Sequence, residues 1–264
     1  MSYRIRPLVQ AQITAPLGVA IPLGDMRTFF TAPVYIWYIE GAKEKILVDA
    51  GVEAPGPDGL VHGFPIKGGG EKGLLEALSA VGVKPEDIDI LILTHLHFDH
   101  IACATLFKNA KIYVQKREWK FAFDPIPTAR AVYDRKLFEP LEKMDLIIVD
   151  GDYEVLEGIK LVLLPGHTKG LQGVAVSTEK GTALLASDHF YTYFNLNPAT
   201  EKATDLTGAE VKVTPRPDLP FMPPAIHVDL TEWFDSSWKA LKTASKRDLI
   251  YPGHEPALAN KILP

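Results

Sequence analysis

Residues 95–100 have the sequence His-Leu-His-Phe-Asp-His, and they follow closely on the apolar run Ile-Leu-Ile-Leu at 90–93. Three imidazole side chains so close together would repel one another if protonated and would need hydrogen-bond partners if neutral. A metal cation resolves both problems because it takes up the imidazole lone pairs. The stretch therefore predicts a metal site at the end of a buried β-strand.

The spacing within this stretch distributes its side chains between two metal ions. His95 and His97 lie two residues apart, so on an extended backbone both side chains project to the same side and can share one ion. Asp99 and His100 lie further round the following turn, where they can reach a second ion.

Three further segments place a metal-ligand residue within three residues of the end of an apolar strand. They carry His167 after 161–164, Asp188 after 184–187 and His254 after 249–251. Taken alone, each would more often be an ordinary turn residue. Because strand ends meet along one edge of a sheet, however, we expect all three to converge with residues 95–100.

Apolar runs and turn residues predict a mixed α and β chain. Strands are predicted over 34–39, 45–49, 88–93, 111–114, 146–149, 155–164, 173–177, 183–187 and 249–251. Helices are predicted over 71–81, much of 116–143 and 231–244, with long irregular segments at 52–70 and 195–227. No break in composition marks a linker, so residues 1–264 are expected to form a single domain.

Composition narrows the classes of protein to which the chain could belong. The net charge of −5 gives no electrostatic reason to bind nucleic acid. No segment has the roughly 18 apolar residues of a membrane span, and residues 1–10 lack the apolar core of a signal peptide. Cys103 is the only cysteine, so we expect no intrachain disulfide, a buried apolar role for this side chain, and a cytoplasmic protein.

These motifs together resemble the metallo-β-lactamase superfamily. Residues 94–100 match its His-x-His-x-Asp-His motif, and 165–168 match the segment of its third histidine. Asp188 matches the bridging aspartate, 252–254 the last histidine, and 47–51 the strand with a buried aspartate. The resemblance extends from about residue 34 to 255, and it implies an α+β fold, the four-layer αββα sandwich.

The resemblance also implies a ligand set for two divalent metal ions. His95, His97 and His167 would hold the first ion, Asp99, His100 and His254 the second, and Asp188 would bridge them. Asp49 would not bind an ion itself but would orient one of these ligands. Imidazole and carboxylate ligands suit zinc first, with iron, cobalt or manganese as alternatives.

Two such ions imply hydrolysis by attack of a metal-bridging hydroxide on an ester, lactone, thioester, amide or phosphoester. Tyr191 follows Asp188 by three residues, which resembles the N-acyl-homoserine lactonase branch, where a tyrosine hydrogen-bonds the lactone carbonyl. We therefore expect a quorum-quenching lactonase in which Tyr191 and Asp99 are catalytic, with Asp99 passing a proton to the leaving oxygen. The alternatives are that Tyr191 is only a pocket wall, and that the enzyme is a thioester hydrolase of the glyoxalase II kind or another esterase or phosphoesterase.

The expected substrate is a small lactone or ester with an apolar tail. Residues 1–33 and 195–227 are predicted to shape its pocket, unless their apolar side chains only pack in the core. Those of the first segment are Leu17, Val19, Ile21, Leu23, Met26, Phe29 and Phe30, and further candidates are Phe121, Phe123 and residues 215–224. A homodimer that buries apolar loop residues is also consistent with the lactonase resemblance.

Two expectations concern residues outside the ligand set. The superfamily motif usually continues with a glycine-rich segment, whereas here it continues Ile101-Ala102-Cys103, which we expect to narrow or reshape the pocket. His62, His189 and His227 do not follow an apolar strand in the same way, so we expect ordinary or pocket-lining roles. Of these three, His227 is the best placed to touch a substrate.

Overall fold

Two β-sheets lie face to face, with helices on both outer sides, in a computed structural model that describes residues 2–21 and 24–264. The strands of these residues are β1 (Arg4–Pro16), β2 (Phe29–Glu40), β3 (Ile46–Val48), β4 (Leu60–Val61), β5 (Phe64–Gly68), β6 (Ile90–Ile92), β7 (Lys111–Gln115), β8 (Leu146–Val149), β9 (Tyr153–Leu156), β10 (Ile159–Leu163), β11 (Gln172–Thr178), β12 (Gly181–Ser187), β13 (Lys202–Thr204), β14 (Glu210–Lys212) and β15 (Ile250–Pro252).

The helices are short apart from two. The α-helices of the described residues are α1 (Leu17–Ala20), α2 (Gly70–Ser79), α3 (Phe98–Ile101), α4 (Lys116–Phe123), α5 (Arg135–Phe138), α6 (Tyr193–Leu196) and α7 (Leu230–Thr243). Turns of 3-10 helix lie at 85–87, 104–106, 127–132, 139–143, 247–249 and 256–258. Among these residues, no helix is long and apolar enough to cross a bilayer.

The first sheet has the strand order β4-β5-β1-β2-β3-β6-β7-β8, and the second has the order β15-β12-β11-β10-β9. Parallel pairing joins β3, β6, β7 and β8 in the first sheet and β12 and β15 in the second, while the other neighbours are antiparallel. A separate hairpin, β13-β14, stands outside both sheets.

Alternating side chains of β2 show why these sheets stack. Tyr35 and Trp37 point into the core between the sheets, whereas Val34 and Ile36 point to the opposite face, toward α2. On the far side, Trp233 and Ala240 of α7 pack against the outer face of the second sheet. The layers are therefore helix, sheet, sheet, helix, which confirms the predicted αββα sandwich.

The strand and helix predictions differ from the structure in four places. The sequence does not predict β1 (Arg4–Pro16), which precedes the first predicted strand. Residues 155–164, predicted as one strand, contain the turn between β9 and β10. The segment 52–70, predicted as a loop, contains the hairpin β4-β5. The irregular segment 195–227 contains the hairpin β13-β14, because its turn is held by the side chain of Asp205.

Candidate metal centre

Four strand ends bring the predicted ligands together at one edge of the two sheets. The loops after β6, β10, β12 and β15 carry residues 95–100, His167, Asp188 and His254, respectively. These side chains form two groups, and within each group the ligand atoms lie within 4.8 Å of one another. The first group is His95, His97 and His167, and the second is Asp99, His100, Asp188 and His254. All seven residues are buried.

Asp188 lies between the two groups. Its Oδ1 atom is 3.1 Å from Nε2 of His100 and 3.2 Å from Nε2 of His254. Its Oδ2 atom is 3.6 Å from Nε2 of His167 and 4.0 Å from Nε2 of His95. One carboxylate is therefore within reach of both sets of imidazoles.

Several buried polar atoms here have no hydrogen-bond partner among the described residues. They are Nε2 of His95, His97 and His100, Oδ1 of Asp188, and Nδ1 of the neighbouring His189. Nε2 of His100 and Oδ1 of Asp188 lie 3.1 Å apart without forming a hydrogen bond. Buried polar atoms without partners are costly in a folded protein, but cations bound among them would use their lone pairs. The donor set of imidazoles and carboxylates therefore fits divalent metals.

The opposite ring nitrogen, Nδ1, of two of these histidines lies against a backbone carbonyl oxygen. Nδ1 of His167 lies 2.7 Å from the carbonyl oxygen of Ile226, and Nδ1 of His254 lies 2.8 Å from that of Pro33. A carbonyl oxygen can only accept, so each Nδ1 carries a proton, and Nε2 is the nitrogen that remains to bind a cation. Histidines that bind metals are usually oriented in this way.

Asp49 performs the same task for His100. Its Oδ2 atom lies 2.8 Å from Nδ1 of His100, and the carboxylate also accepts hydrogen bonds from the backbone nitrogen and the hydroxyl of Thr94. The hydroxyl of Thr94 lies 2.8 Å from that of Ser187, which links the two sheets beneath the site. Asp49 and Ser187 both have positive φ angles, 62° and 48°, a strained conformation that clusters at functional sites.

Burial and charge give the two groups different protonation states before any cation binds. Burial, together with the neighbouring imidazoles, lowers the pKa of His95 and of His97 well below the usual value, so both are neutral. Burial also disfavours charge on His100 and His254, but the carboxylate of Asp188 prevails and raises the pKa of each. A cation entering this second group would displace protons.

A pocket opens onto these ligands and is walled largely by apolar side chains. His97, Asp99, Asp188 and His254 form its polar floor together with Tyr191. Its apolar lining is Ile13, Ala15, Pro16, Val19, Ala20, Phe30, Ala32, Phe64, Phe98, Val132 and Ile226. Lipophilic small molecules bind in clefts with this combination of apolar walls and a few polar groups.

Tyr191 lies over the ligands, as its position three residues after Asp188 predicts. Its ring packs edge-on against His167 at 5.6 Å and against His254 at 5.4 Å between ring centroids. Burial, and then the charges of Asp188 and Asp99, raises the pKa of this phenol well above its usual value. The hydroxyl is therefore protonated and able to donate a hydrogen bond.

The predicted pocket segments contribute only in part. Within 1–33, the residues that line the pocket are Ile13, Ala15, Pro16, Val19, Ala20, Phe30 and Ala32. Leu17 and Ile21 pack instead in a core cluster that Phe30 and Ala32 also join. Met26 and Phe29 are exposed, and Leu23 lies outside the described residues. In 195–227, Ile226 lines the pocket.

Other pocket predictions are wrong. Residues 215–224 are absent from the described lining, because Phe221 and Met222 pack in the core. Phe121 packs against Tyr133, and Phe123 packs against Trp119 and Phe138. The pocket lining contains Ile226 and not His227, whose ring nitrogen lies 2.8 Å from the carbonyl oxygen of Pro224.

The residues that replace the usual glycines after His100 contribute no side chain to this lining. Ile101 and Cys103 are buried in the core cluster that also contains Phe98 of the pocket wall. The effect of this segment on the shape of the pocket stays a prediction. Cys103 is a buried apolar residue as predicted, and burial raises the pKa of its thiol to about 12.

The sequence profile of the metallo-beta-lactamase superfamily matches residues 31–254, a range that contains every residue of the two groups. The chain belongs to this superfamily. Among curated superfamily relatives, the N-acyl homoserine lactonase of Bacillus thuringiensis is 34% identical over 172 residues. That match covers 62% of this chain and 66% of the relative, which is just under two thirds of its length. The N-acyl homoserine lactonase AttM of Azorhizobium caulinodans is 36% identical over 69 residues, 26% of each chain.

Similarity to solved structures covers nearly the whole chain. An N-acyl homoserine lactone hydrolase with the product N-hexanoyl-L-homoserine bound at its catalytic metal center is 25% identical, with a TM-score of 0.74. That likeness covers 97% of this chain and 94% of the other. A probable metal-dependent hydrolase from Staphylococcus aureus has a TM-score of 0.76 at 19% identity, covering 96% and 90% of the two chains, and it shows the fold alone.

The sequence does not predict the role of Glu118, a buried residue close to the ligands. Glu118 of α4 is fully buried, and its carboxylate contacts both the loop of His95 and His97 and the loop after His167. The sequence signal that could have indicated its burial is helical spacing: Glu118 lies four residues before Ala122, on the same face of a helix.

Proposed function

We propose that the chain binds two divalent metal ions, with zinc as the first candidate, and hydrolyses lactones. The first ion would be held by His95, His97 and His167, and the second by Asp99, His100 and His254, with Asp188 shared. The unpartnered Nε2 and carboxylate atoms support this assignment. When bound, two such cations supply a water of lowered pKa and an electrophile for a carbonyl oxygen.

We propose N-acyl-homoserine lactones as the substrate class, which would make the chain a quorum-quenching enzyme. The observation that carries this proposal is a pocket in which the ligand groups and Tyr191 face apolar walls. The lactone ring would lie over the polar floor, and the acyl chain would lie against side chains such as Val19 and Phe30. The curated lactonases at 34% identity support the same substrate class.

Two residues of the floor would act directly on the substrate. The protonated phenol of Tyr191 would donate a hydrogen bond to the lactone carbonyl oxygen, where negative charge develops. Asp99 lines the same pocket and would take a proton from the water whose oxygen adds to the carbonyl carbon, then pass it to the ring oxygen as the ring C–O bond breaks. The products would be the open-chain hydroxy acid with its acyl amide intact.

A substrate panel tests this function. Zinc-loaded protein is assayed against N-acyl-homoserine lactones of several chain lengths, S-lactoylglutathione and a phosphodiester. We expect turnover of the N-acyl-homoserine lactones in preference to S-lactoylglutathione and the phosphodiester. Inert lactones together with turnover of S-lactoylglutathione would replace the lactonase assignment with the thioester hydrolase.

A further inference from the structure

Glu118 is a buried carboxylate that has no cationic partner within residues 2–21 and 24–264. It lies in the first turn of α4, is 0% exposed, and forms no ion pair with a lysine or arginine of the residues that the structure describes. An unpaired charge in such a place must be compensated by hydrogen bonds.

Four donors surround this carboxylate, two on each oxygen. Oε1 accepts from the backbone nitrogen of Leu96 at 3.0 Å and from the hydroxyl of Tyr133 at 2.9 Å. Oε2 accepts from the hydroxyl of Thr168 at 2.6 Å and from the backbone nitrogen of Gly170 at 3.1 Å. Since a backbone N–H can only donate, an ionised carboxylate fits this set.

The donors come from the segments that carry the first ligand group. Leu96 lies between His95 and His97, and Thr168 follows His167 in the chain. The ring of Tyr133 packs edge-on against that of His97, with 4.8 Å between centroids. One carboxylate thus fastens two separate loops and one aromatic wall around three imidazoles.

The contact between α4 and the loop after His167 is too close for any other residue at Gly170. A Cβ atom at this position would overlap the backbone nitrogen of Glu118. The glycine therefore allows its own N–H to reach the carboxylate.

Resting on the metal centre proposed above, we infer that Glu118 is a positioning residue for the first metal ion. It holds His95, His97 and His167 in one arrangement, as Asp49 holds His100 in the second group. Glu118 thereby orients the ligands of the first ion, and Asp49 orients a ligand of the second. Changes to such outer partners lower metal affinity by about 10- to 100-fold.

The isosteric variant Glu118→Gln removes one of the two acceptor oxygens and keeps the size of the side chain. Each oxygen of Glu118 receives a backbone N–H, from Leu96 or from Gly170. An amide NH₂ group cannot accept a hydrogen bond, so glutamine can satisfy only one of these two loops. The loops would then separate slightly although the volume of the side chain is unchanged.

The experiment measures both stepwise zinc dissociation constants by competition with a chelator, in wild type and variants. Asp205→Asn is the matched control, because Asp205 is also buried and accepts backbone hydrogen bonds, from Thr31, Thr207 and Ala209, away from the ligand groups. We expect Glu118→Gln to weaken one zinc by about 10- to 100-fold and to leave the other within about threefold. Anomalous diffraction at limiting zinc should show the loss at His95, His97 and His167. Asp205→Asn should lower the unfolding temperature and leave both constants unchanged.

The possible outcomes separate this inference from the metal centre itself. If wild type binds two zinc ions and Glu118→Gln either binds both equally well or binds both more weakly to the same extent, the positioning role is wrong. If wild type binds none, the metal centre fails, and this inference fails with it. If Glu118→Gln does not fold, the variant Thr168→Val, which removes only one donor, is measured in the same assay. We expect Thr168→Val to weaken binding of the first zinc ion selectively. Unchanged dissociation constants would contradict the inference.

Discussion

Nδ1 of His100 lies 2.8 Å from Oδ2 of Asp49, and Oδ1 of Asp49 accepts the backbone N–H of Thr94. A buried carboxylate thus joins a candidate metal ligand to the strand end from which the ligand loop departs. Because the aspartate fixes the proton on Nδ1, it leaves Nε2 of His100 directed at Asp188.

Replacement of Asp49 by asparagine should weaken the second metal ion. The amide has only one oxygen that can accept hydrogen bonds, so either the Nδ1–H of His100 or the N–H of Thr94 loses its acceptor. We expect about 10- to 100-fold weaker binding of one zinc, measured by chelator competition. Site-resolved anomalous diffraction should place this loss at His254 and His100, and a loss at the other group would contradict the division of roles.

Removal of the Tyr191 hydroxyl should slow catalysis without releasing metal. Tyr191→Phe keeps the ring that packs between His167 and His254 and deletes only the donor. We expect kcat for lactones to fall by about 100-fold, with zinc content equal to that of wild type. Unchanged kcat would leave Tyr191 as a pocket wall.

A methyl group at Gly253 should disturb Asp188. A Cβ there would lie 2.7 Å from Oδ1 of Asp188 and 2.8 Å from the backbone of Ser187. We expect Gly253→Ala to cost about 1–3 kcal/mol of unfolding free energy and to weaken zinc binding. Gly56→Ala is the control, since Gly56 is exposed and its nearest neighbour is the flexible side chain of Asp58. Wild-type zinc affinity in Gly253→Ala would show that Asp188 tolerates displacement.

A larger side chain at position 19 should restrict the pocket to substrates with shorter acyl chains. Val19→Trp fills apolar space in the lining, and each excluded methylene group loses about 0.8 kcal/mol of burial. We expect kcat/KM for long-chain lactones to fall roughly tenfold for about two methylenes excluded, while short-chain lactones change little. The exposed residue Met26 supplies the control Met26→Ala, and equal losses for all chain lengths would argue against an acyl site at Val19.

The ligand groups could be predicted because the ligands lie in short loops that begin where apolar strands end. Asp188 comes directly after β12, and strand ends share an edge, so convergence follows from local sequence alone. Family membership and the sandwich followed from the same motifs. The cytoplasmic location and the homodimer stay predictions.

Glu118 could not be predicted in this way. In the run 116–120 it is flanked by charged side chains, so the sequence favours an exposed position. Its burial depends on two distant loops that pack over α4, and Val132 and Ile226 reach the pocket through comparable long-range packing. β1 was missed because Arg6, Pro7 and Gln10 interrupt its pattern, and it is stabilised by pairing with β2 and β5.

The most direct test of the two-metal centre is a titration of metal-free protein with zinc, following hydrolysis of N-hexanoyl-homoserine lactone. The seven ligands form two groups around Asp188, so activity should be absent without metal, rise with added zinc, and reach its plateau at two equivalents per chain. Activity that survives complete removal of metal, or that is complete at one equivalent, would contradict the account.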